Sequence, residues 1–361
     1  MSLDSRSLIS LPRLASPAIR AAGALTLGVV VLAAGLWAAG YDAPVALTAL
    51  WNGAFGSWYA FTSATLLRAV PLILMGFAIA VAFRAGALNI GGEGQFYAGA
   101  IAATWVGLHV AAWPAVAAVP AVWLAAMIAG ALWIAVPVWL RLRFGVLEVI
   151  STLLLNFVAE VLVSWMVLGP LQEARHTYPQ SDRIANAAQL PLFGGTQLHA
   201  GFLLAVALGV ALWVGFSRTV YGFQMLAVGT GPRAAETTGR IRSAQVLAGA
   251  LLLSGTLAGL VGGVEVSGVS HALFQNLSPG YGFTGIAVAL LAELNPLGII
   301  VSGMLFGALE AGAAAMQREA GIPAVLVYVV EAVIIIAVLL VNEVTRRARE
   351  RTVVKEAPAH G

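Results

Sequence analysis

The residues able to do chemistry are few, and most are acids or amides set among apolar neighbours. The densest group is the segment 84–97, RAGALNIGGEGQFY, where Asn89, Glu93 and Gln95 stand among Gly91, Gly92 and Gly94. Each glycine costs a helix about 1 kcal/mol relative to alanine, so this cluster favours a broken helix over a continuous one. Freed backbone groups and three polar side chains then offer donors and acceptors to a polar solute or to a cavity wall. Four glutamates, Glu148, Glu160, Glu310 and Glu331, fall in or at the ends of apolar runs, and Asn156 lies within one. Ionisable groups are expensive in lipid and turn toward a bundle interior or a water-filled path. Asn89, Glu93, Gln95, Asn156, Glu310 and Glu331 are therefore the candidate solute path. Glu148 follows Arg143 closely and is expected near a membrane surface.

Catalytic patterns are missing. The five histidines, 109, 176, 199, 271 and 360, form no HExxH and no metal-ligand spacing on one helix. His271, with Gln275 and Asn276 nearby, is expected as a solvated loop histidine. There is no GxSxG and no cysteine, hence no thiolate nucleophile or disulfide. A phosphate loop of the G-x-x-x-x-G-K-[ST] type is absent, and the only lysine is Lys355. No metal, no bound cofactor and no ATP site are expected on this chain.

Those residues need a scaffold, and composition names it. Of 361 residues, 60% are hydrophobic and 10% charged, against roughly 25% charged in a soluble domain. One soluble core cannot hide that much apolar surface, which excludes a cytosolic enzyme and a nucleic-acid binder. At ~20 residues per span, the length allows about ten. The fold class is all-α: a polytopic transmembrane helix bundle with broken or re-entrant helices. Apolar runs fall at 20–40, 61–83, 94–110, 114–140, 147–168, 201–216, 244–264, 281–292, 297–316 and 323–342. The run 281–292 is too short to span alone. Pro120 and Pro137 predict a tilt or kink in 114–140. In the run 244–264, Gly255, Gly259 and Gly263 recur every fourth residue beside Ala258 and Gly262, so one helix face is nearly bare backbone and admits close neighbours.

Charge sets the orientation. With residues 1–19 as a cytoplasmic tail, 20–342 as the membrane domain and 343–361 as a basic cytoplasmic tail, fifteen Arg and Lys lie inside against three outside, a strong positive-inside bias. Both termini are then cytoplasmic. The stretch 169–200 becomes an extracytoplasmic loop long enough to cap a pore. The stretch 217–243 becomes a cytoplasmic loop in which Gly229-Thr230-Gly231-Pro232 turns into a short helix, with Pro at its first position and Gly239 at its end.

At these residues the chain resembles the inner-membrane permease subunits of ABC importers in the branched-chain amino acid, ribose and nucleoside group. Four blocks carry the likeness: Ala82 to Ala100, Gly145 to Ala159, Val228 to Ile241, and Gly282 to Ala313. The first two look closest to the longer permease of nucleoside importers. The resemblance implies that Gly231, Pro232, Arg233, Ala234, Ala235, Glu236 and Gly239 couple the chain to a separate ATPase, with Gly231, Pro232, Ala234, Ala235 and Gly239 matching the family pattern. It also implies ABC ATPase subunits that carry ATP and magnesium, a second homologous permease in a heterodimer or homodimer, an extracytoplasmic solute-binding protein or lipoprotein, a lipid bilayer around the chain, no nucleic acid, and a place in the bacterial inner membrane. Thr230-Gly231 departs from the usual loop order, and Arg240 sits between Gly239 and Ile241. Two further readings stand beside nucleoside import: an ABC permease for sugars or branched-chain amino acids, and a proton-coupled secondary carrier using Glu310 and Glu331. An intramembrane enzyme lacks any catalytic constellation.

Overall fold

Where a backbone has no water to bond, it must bond to itself, and the apolar runs accordingly form helices. The computed structural model describes residues 30, 32–237, 239–323, 329, 332 and 336. Among them every regular element is helical, apart from isolated bridges joining Gln180 to Phe274 and Leu192 to His199. Most of the expected span 323–342, the tails 1–19 and 343–361, and Glu331 lie outside the described residues. Two units divide the chain. Residues 49–315 form one and hold the sites below; residues 1–48 and 316–361 form the other, whose described part is chiefly the helical stretch 32–38 and the start of the next helix.

The elements in chain order are α1 (Ala43–Phe55), α2 (Trp58–Arg84), α3 (Gly92–His109), α4 (Ala115–Phe144), α5 (Glu148–Leu168), α6 (Gly201–Arg218), α7 (Val220–Thr230), α8 (Pro232–Thr237), α9 (Ser243–Ser270), α10 (Tyr281–Leu291) and α11 (Pro296–Glu319). Six of these, α2, α4, α5, α6, α9 and α11, are long and apolar enough to cross a membrane. The expected short run is indeed short: α10 has 11 residues. Helix α4 continues through Pro120 and Pro137 over 30 residues. Helices α1 and α7 were not expected; α7 is capped by Thr219, whose hydroxyl accepts from the Gly222 N–H at 3.0 Å.

Packing places α3 and α9 at the centre. The small-residue face of α9 meets two neighbours at backbone distance. A Cβ on Gly259 would collide with the Ala126 carbonyl and Gly130 of α4, and one on Gly99 of α3 would collide with the Gly259 carbonyl. Gly262 lies equally close to the Phe96 carbonyl. Helices α4, α5 and α6 keep a broad apolar face exposed, including Leu132, Trp139, Leu154 and Val161, as a lipid-facing or partner-facing layer must.

The segment 169–200 is an ordered cap. It carries one 3-10 turn, Asn186–Ala188, and is stitched to the end of α9 and the loop after it. Leu190 N–H donates to the Ser267 carbonyl (2.8 Å), Ile184 N–H to that of His271 (2.9 Å), and Ser181 N–H to that of Leu273 (2.8 Å). Two histidines sit in this seam. His199 is fully buried; its Nδ1 accepts from the Gly201 N–H at 3.1 Å, and its Nε2 has no partner. His271 is not the solvated residue expected: it is half-buried, its Nδ1 is buried without a partner, and its φ is +55°. The close fit of the cap against 267–274 takes it out of water.

Burial first, and the His271 ring second, push His199 down from the ordinary 6.5 to about 4. The unfolded chain therefore binds a proton between pH 6.5 and 4 that the folded cap refuses. The resulting stability is full above pH 6.5 and is lost as pH falls toward 4, a change of about 3 kcal/mol for one histidine. Thermal unfolding in detergent is expected to show a falling Tm across that window. His199→Gln is expected to flatten much of it; an unchanged pH slope in that variant would refute the assignment.

Candidate functional site

The polar segment 84–97 does break the helix. Helix α2 ends at Arg84, residues 85–91 are irregular, and α3 begins at Gly92. An ordinary turn would lie level with the helix ends. This one is sunk into the bundle: Asn89 bonds to Ser254, eleven residues into α9, and Gly94 to Asn156, eight residues into α5. At 1.5 Å per residue those depths are about 16 and 12 Å.

Burying irregular backbone requires that each polar group be answered. Asn89 is fully buried and saturated. Its Nδ2 donates to Gln95 Oε1 (2.9 Å) and Ser254 Oγ (2.8 Å), while its Oδ1 accepts from Gln95 Nε2 and the Gly91 N–H, both at 2.9 Å. Asn156 spans the same segment from α5, donating to the Ile90 carbonyl (2.9 Å) and accepting from the Gly94 N–H (2.8 Å). Glu148 pairs with Arg141 and accepts from the Leu88 N–H at 3.2 Å. Three of the candidate path residues, Asn89, Gln95 and Asn156, thus come together as the brace of the sunken segment.

Glu93 has a different setting. Its Oε2 accepts from the Gly282 N–H at 2.7 Å, so it lies in the first turn of α3 and against the first turn of α10. A carboxylate is favoured at a helix N-terminus by the dipole and free N–H groups, and Glu93 serves two. The junction is dense: a Cβ on Gly282 would strike the Glu93 backbone. Tyr281 packs edge-on to Phe96 at 5.9 Å, and the Tyr97 hydroxyl accepts from the Ser278 N–H at 3.4 Å. Helix α10 therefore starts inside the bundle, which explains its shortness.

Glu310 is half-buried on α11. Its charge and those of Arg68, Glu93 and Glu265 converge on Tyr281. Glu265 was absent from the candidates read off the sequence. It is buried and has no hydrogen-bond partner for its carboxylate among the described residues. It ends the α-helical part of α9, after which Val266–Ser270 continue as a π-helical turn, a geometry frequent at functional sites. The expected run ended at residue 264, one short of it; the π turn carries the helix on to Ser270.

At the opposite end of the bundle from the cap, the expected short helix is present as α8, opening on Pro232; Gly239 follows with φ +67°. Ala235 is buried, while Pro232, Arg233, Ala234, Glu236 and Thr237 are exposed. Ser243 Oγ donates to the Pro232 carbonyl at 3.1 Å, tying α8 to the first residue of α9. Helix α7 lies with Gly229 against Gly86 and the Arg84 carbonyl, where a Cβ would collide. A cavity of about 420 Å³ between these elements is lined by Gly86, Arg141, Gly229, Pro232 and Leu247 among others. Helix α7 thus links α8 to Gly86, the second residue of the irregular segment.

Comparison with known proteins agrees with this architecture. The family described as branched-chain amino acid transport system / permease component matches residues 61–339. The glucose ABC transporter permease TsgB13 of Haloferax volcanii is 40% identical over 295 residues, covering 79% of this chain and 77% of that one. The guanosine ABC transporter permease NupP of Bacillus subtilis is 34% identical over 322 residues, covering 87% and 91%. The nucleoside ABC transporter permease NupB of Lactococcus lactis is 35% identical over 292 residues, covering 78% and 80%.

Proposed function

Because the chain belongs to the branched-chain amino acid transport system permease family, and so is the membrane subunit of an ABC transporter rather than an enzyme, we propose that it forms half of the route by which a nucleoside, or a closely related sugar-bearing solute, is imported. It is a multi-pass inner-membrane protein whose family works with ATPase and solute-binding partners. The observation that carries the reading is the pairing of an exposed α8 with a segment sunk and braced inside the bundle. In it, α8 docks on an ATPase subunit through Arg233, Ala234 and Glu236, with Ala235 holding the helix to its own bundle. ATP and magnesium reside on that partner. The end bearing α8 is cytoplasmic, both termini with it, and the 169–200 cap faces the solute-binding protein.

A second permease supplies the other half. Glu160 is exposed on α5, twelve residues in from Glu148 and thus about 18 Å along the helix, where a carboxylate facing lipid is costly. That face is one to be covered by another subunit or by water. A heterodimer with a homologous permease fits this need, as does a homodimer.

Nucleoside cargo is supported by NupP and NupB. The 40% identity to TsgB13 favours glucose or another sugar as the second reading. Competition in cells carrying the whole importer separates them. Radiolabelled guanosine uptake is expected to be blocked by unlabelled nucleosides and left intact by glucose and leucine. Accumulation of radiolabelled glucose, with guanosine not accumulated, replaces the nucleoside reading with the sugar one.

A further inference from the structure

Among the intramembrane acids, Glu93, Glu148 and Glu265 are buried, Glu310 is half-buried, and Glu160 alone of those described is exposed. It has no ion-pair partner among the described residues. It does not lie in the middle of the apolar face of α5 formed by Leu154, Phe157 and Val161. At 100° per residue it falls on one flank, next to half-buried Leu153 and Ser164, with buried Asn156 one turn away. The cavity of about 1100 Å³ between α3, α4 and α5 is bordered by Leu155, Leu162 and Met166, on the other flank. On the buried side of Glu160 lie the Glu93 carboxyl and the Tyr97 hydroxyl, near enough to interact with it electrostatically. So one edge of α5 presents an exposed acid at mid-membrane depth, with the Glu93 carboxyl behind it.

We propose that this edge of α5 lines the aqueous route of the solute, and that Glu160 makes the route selective by charge, passing uncharged polyhydroxyl solutes and repelling their phosphorylated forms. The proposal rests on the permease reading above and names the charge class of its cargo. A solute hydroxyl or amine N–H can donate to the carboxylate, which offers only acceptors. A phosphate dianion has no proton to donate to it, and at close range the two like charges repel.

The chain has no cysteine, so a single introduced thiol reports accessibility without background from this subunit. The test uses the complete importer in membrane vesicles with Ser164→Cys, one turn from Glu160. Two membrane-impermeant methanethiosulfonates are applied, one bearing a trimethylammonium and one a sulfonate. The expected result is that both label the thiol from water, the cation at least tenfold faster after correction for their rates with a free thiol. Adding Glu160→Gln is expected to cut that preference at least threefold. A thiol inert to both reagents, or a preference untouched by Glu160→Gln, overturns the proposal. Guanosine and glucose uptake by the unmutated importer is measured alongside. Uptake with an inert thiol refutes the lining of the route and leaves the import function standing; charge-selective labelling without uptake of either solute refutes the cargo reading and leaves the route.

Discussion

Reversing both charges on the exposed face of α8, Arg233→Glu with Glu236→Lys, is expected to lower ATP-driven uptake at least tenfold. The reasoning starts from burial. Of the six residues in α8, Ala235 alone turns inward. Arg233 and Glu236 are exposed, and surface charges of this kind add little to stability, of order 0–1 kcal/mol. Their removal should leave the subunit folded, which separates a docking role from a structural one. Replacing Ala235 by a large residue would damage the chain's own packing and could not make that distinction. The measurement is uptake in proteoliposomes beside ATP hydrolysis by the same complexes. Loss of uptake with hydrolysis retained, or loss of ATPase co-purification, is the expected outcome. Uptake within twofold of the unmutated importer would remove α8 from the coupling role.

Gly259→Val is expected to do its damage earlier, at folding. The residue lies where α3, α4 and α9 meet, against the Ala126 carbonyl and Gly130 on one side and Gly99 on the other. Those neighbours are backbone, which cannot rotate aside as a side chain can. Overpacking at such a point costs about 3 kcal/mol, the upper end of the usual range, out of a total stability of roughly 5–15 kcal/mol typical for a domain. Size-exclusion chromatography in detergent should show the monodisperse peak reduced to a small fraction or lost. Gly194, with nothing within 4 Å of the place an added methyl would take, provides the control: Gly194→Ala should elute as the unmutated protein does.

The collision at Gly259 was foreseeable from the spacing of Gly255, Gly259 and Gly263, because a helix repeats its face every three to four residues and small side chains announce close approach. Long apolar runs were legible for a similar reason: 61–83 became most of α2, 147–168 contains the whole of α5, and 244–264 became most of α9. The helices that escaped notice, α1 and α7, have 13 and 11 residues, too few to announce a span, and α7 sits in the most polar internal loop. Glu265 escaped because a π turn prolonged α9 past the end of its apolar run. The polar cluster at 84–97 was visible as a cluster. Its use as a brace was not, since Asn89 meets Ser254 and Glu93 meets Gly282, partners 165 and 189 residues away. Likewise, the pattern of the α8 loop marked Ala234 and Ala235 alike, and only packing tells the outward residue from the inward one.

The bond between Asn89 and Ser254 also orders events in time. Asn89 leaves the ribosome 165 residues before Ser254, which at about 5–20 residues per second is an interval of roughly 10–30 s. Through that interval the Asn89 amide lacks its Ser254 acceptor, while its bonds to Gln95 and the hold of Asn156 on Ile90 and Gly94 can already form. The last bond of the brace and the close packing of α3 and α4 on α9 thus both wait for the same later helix.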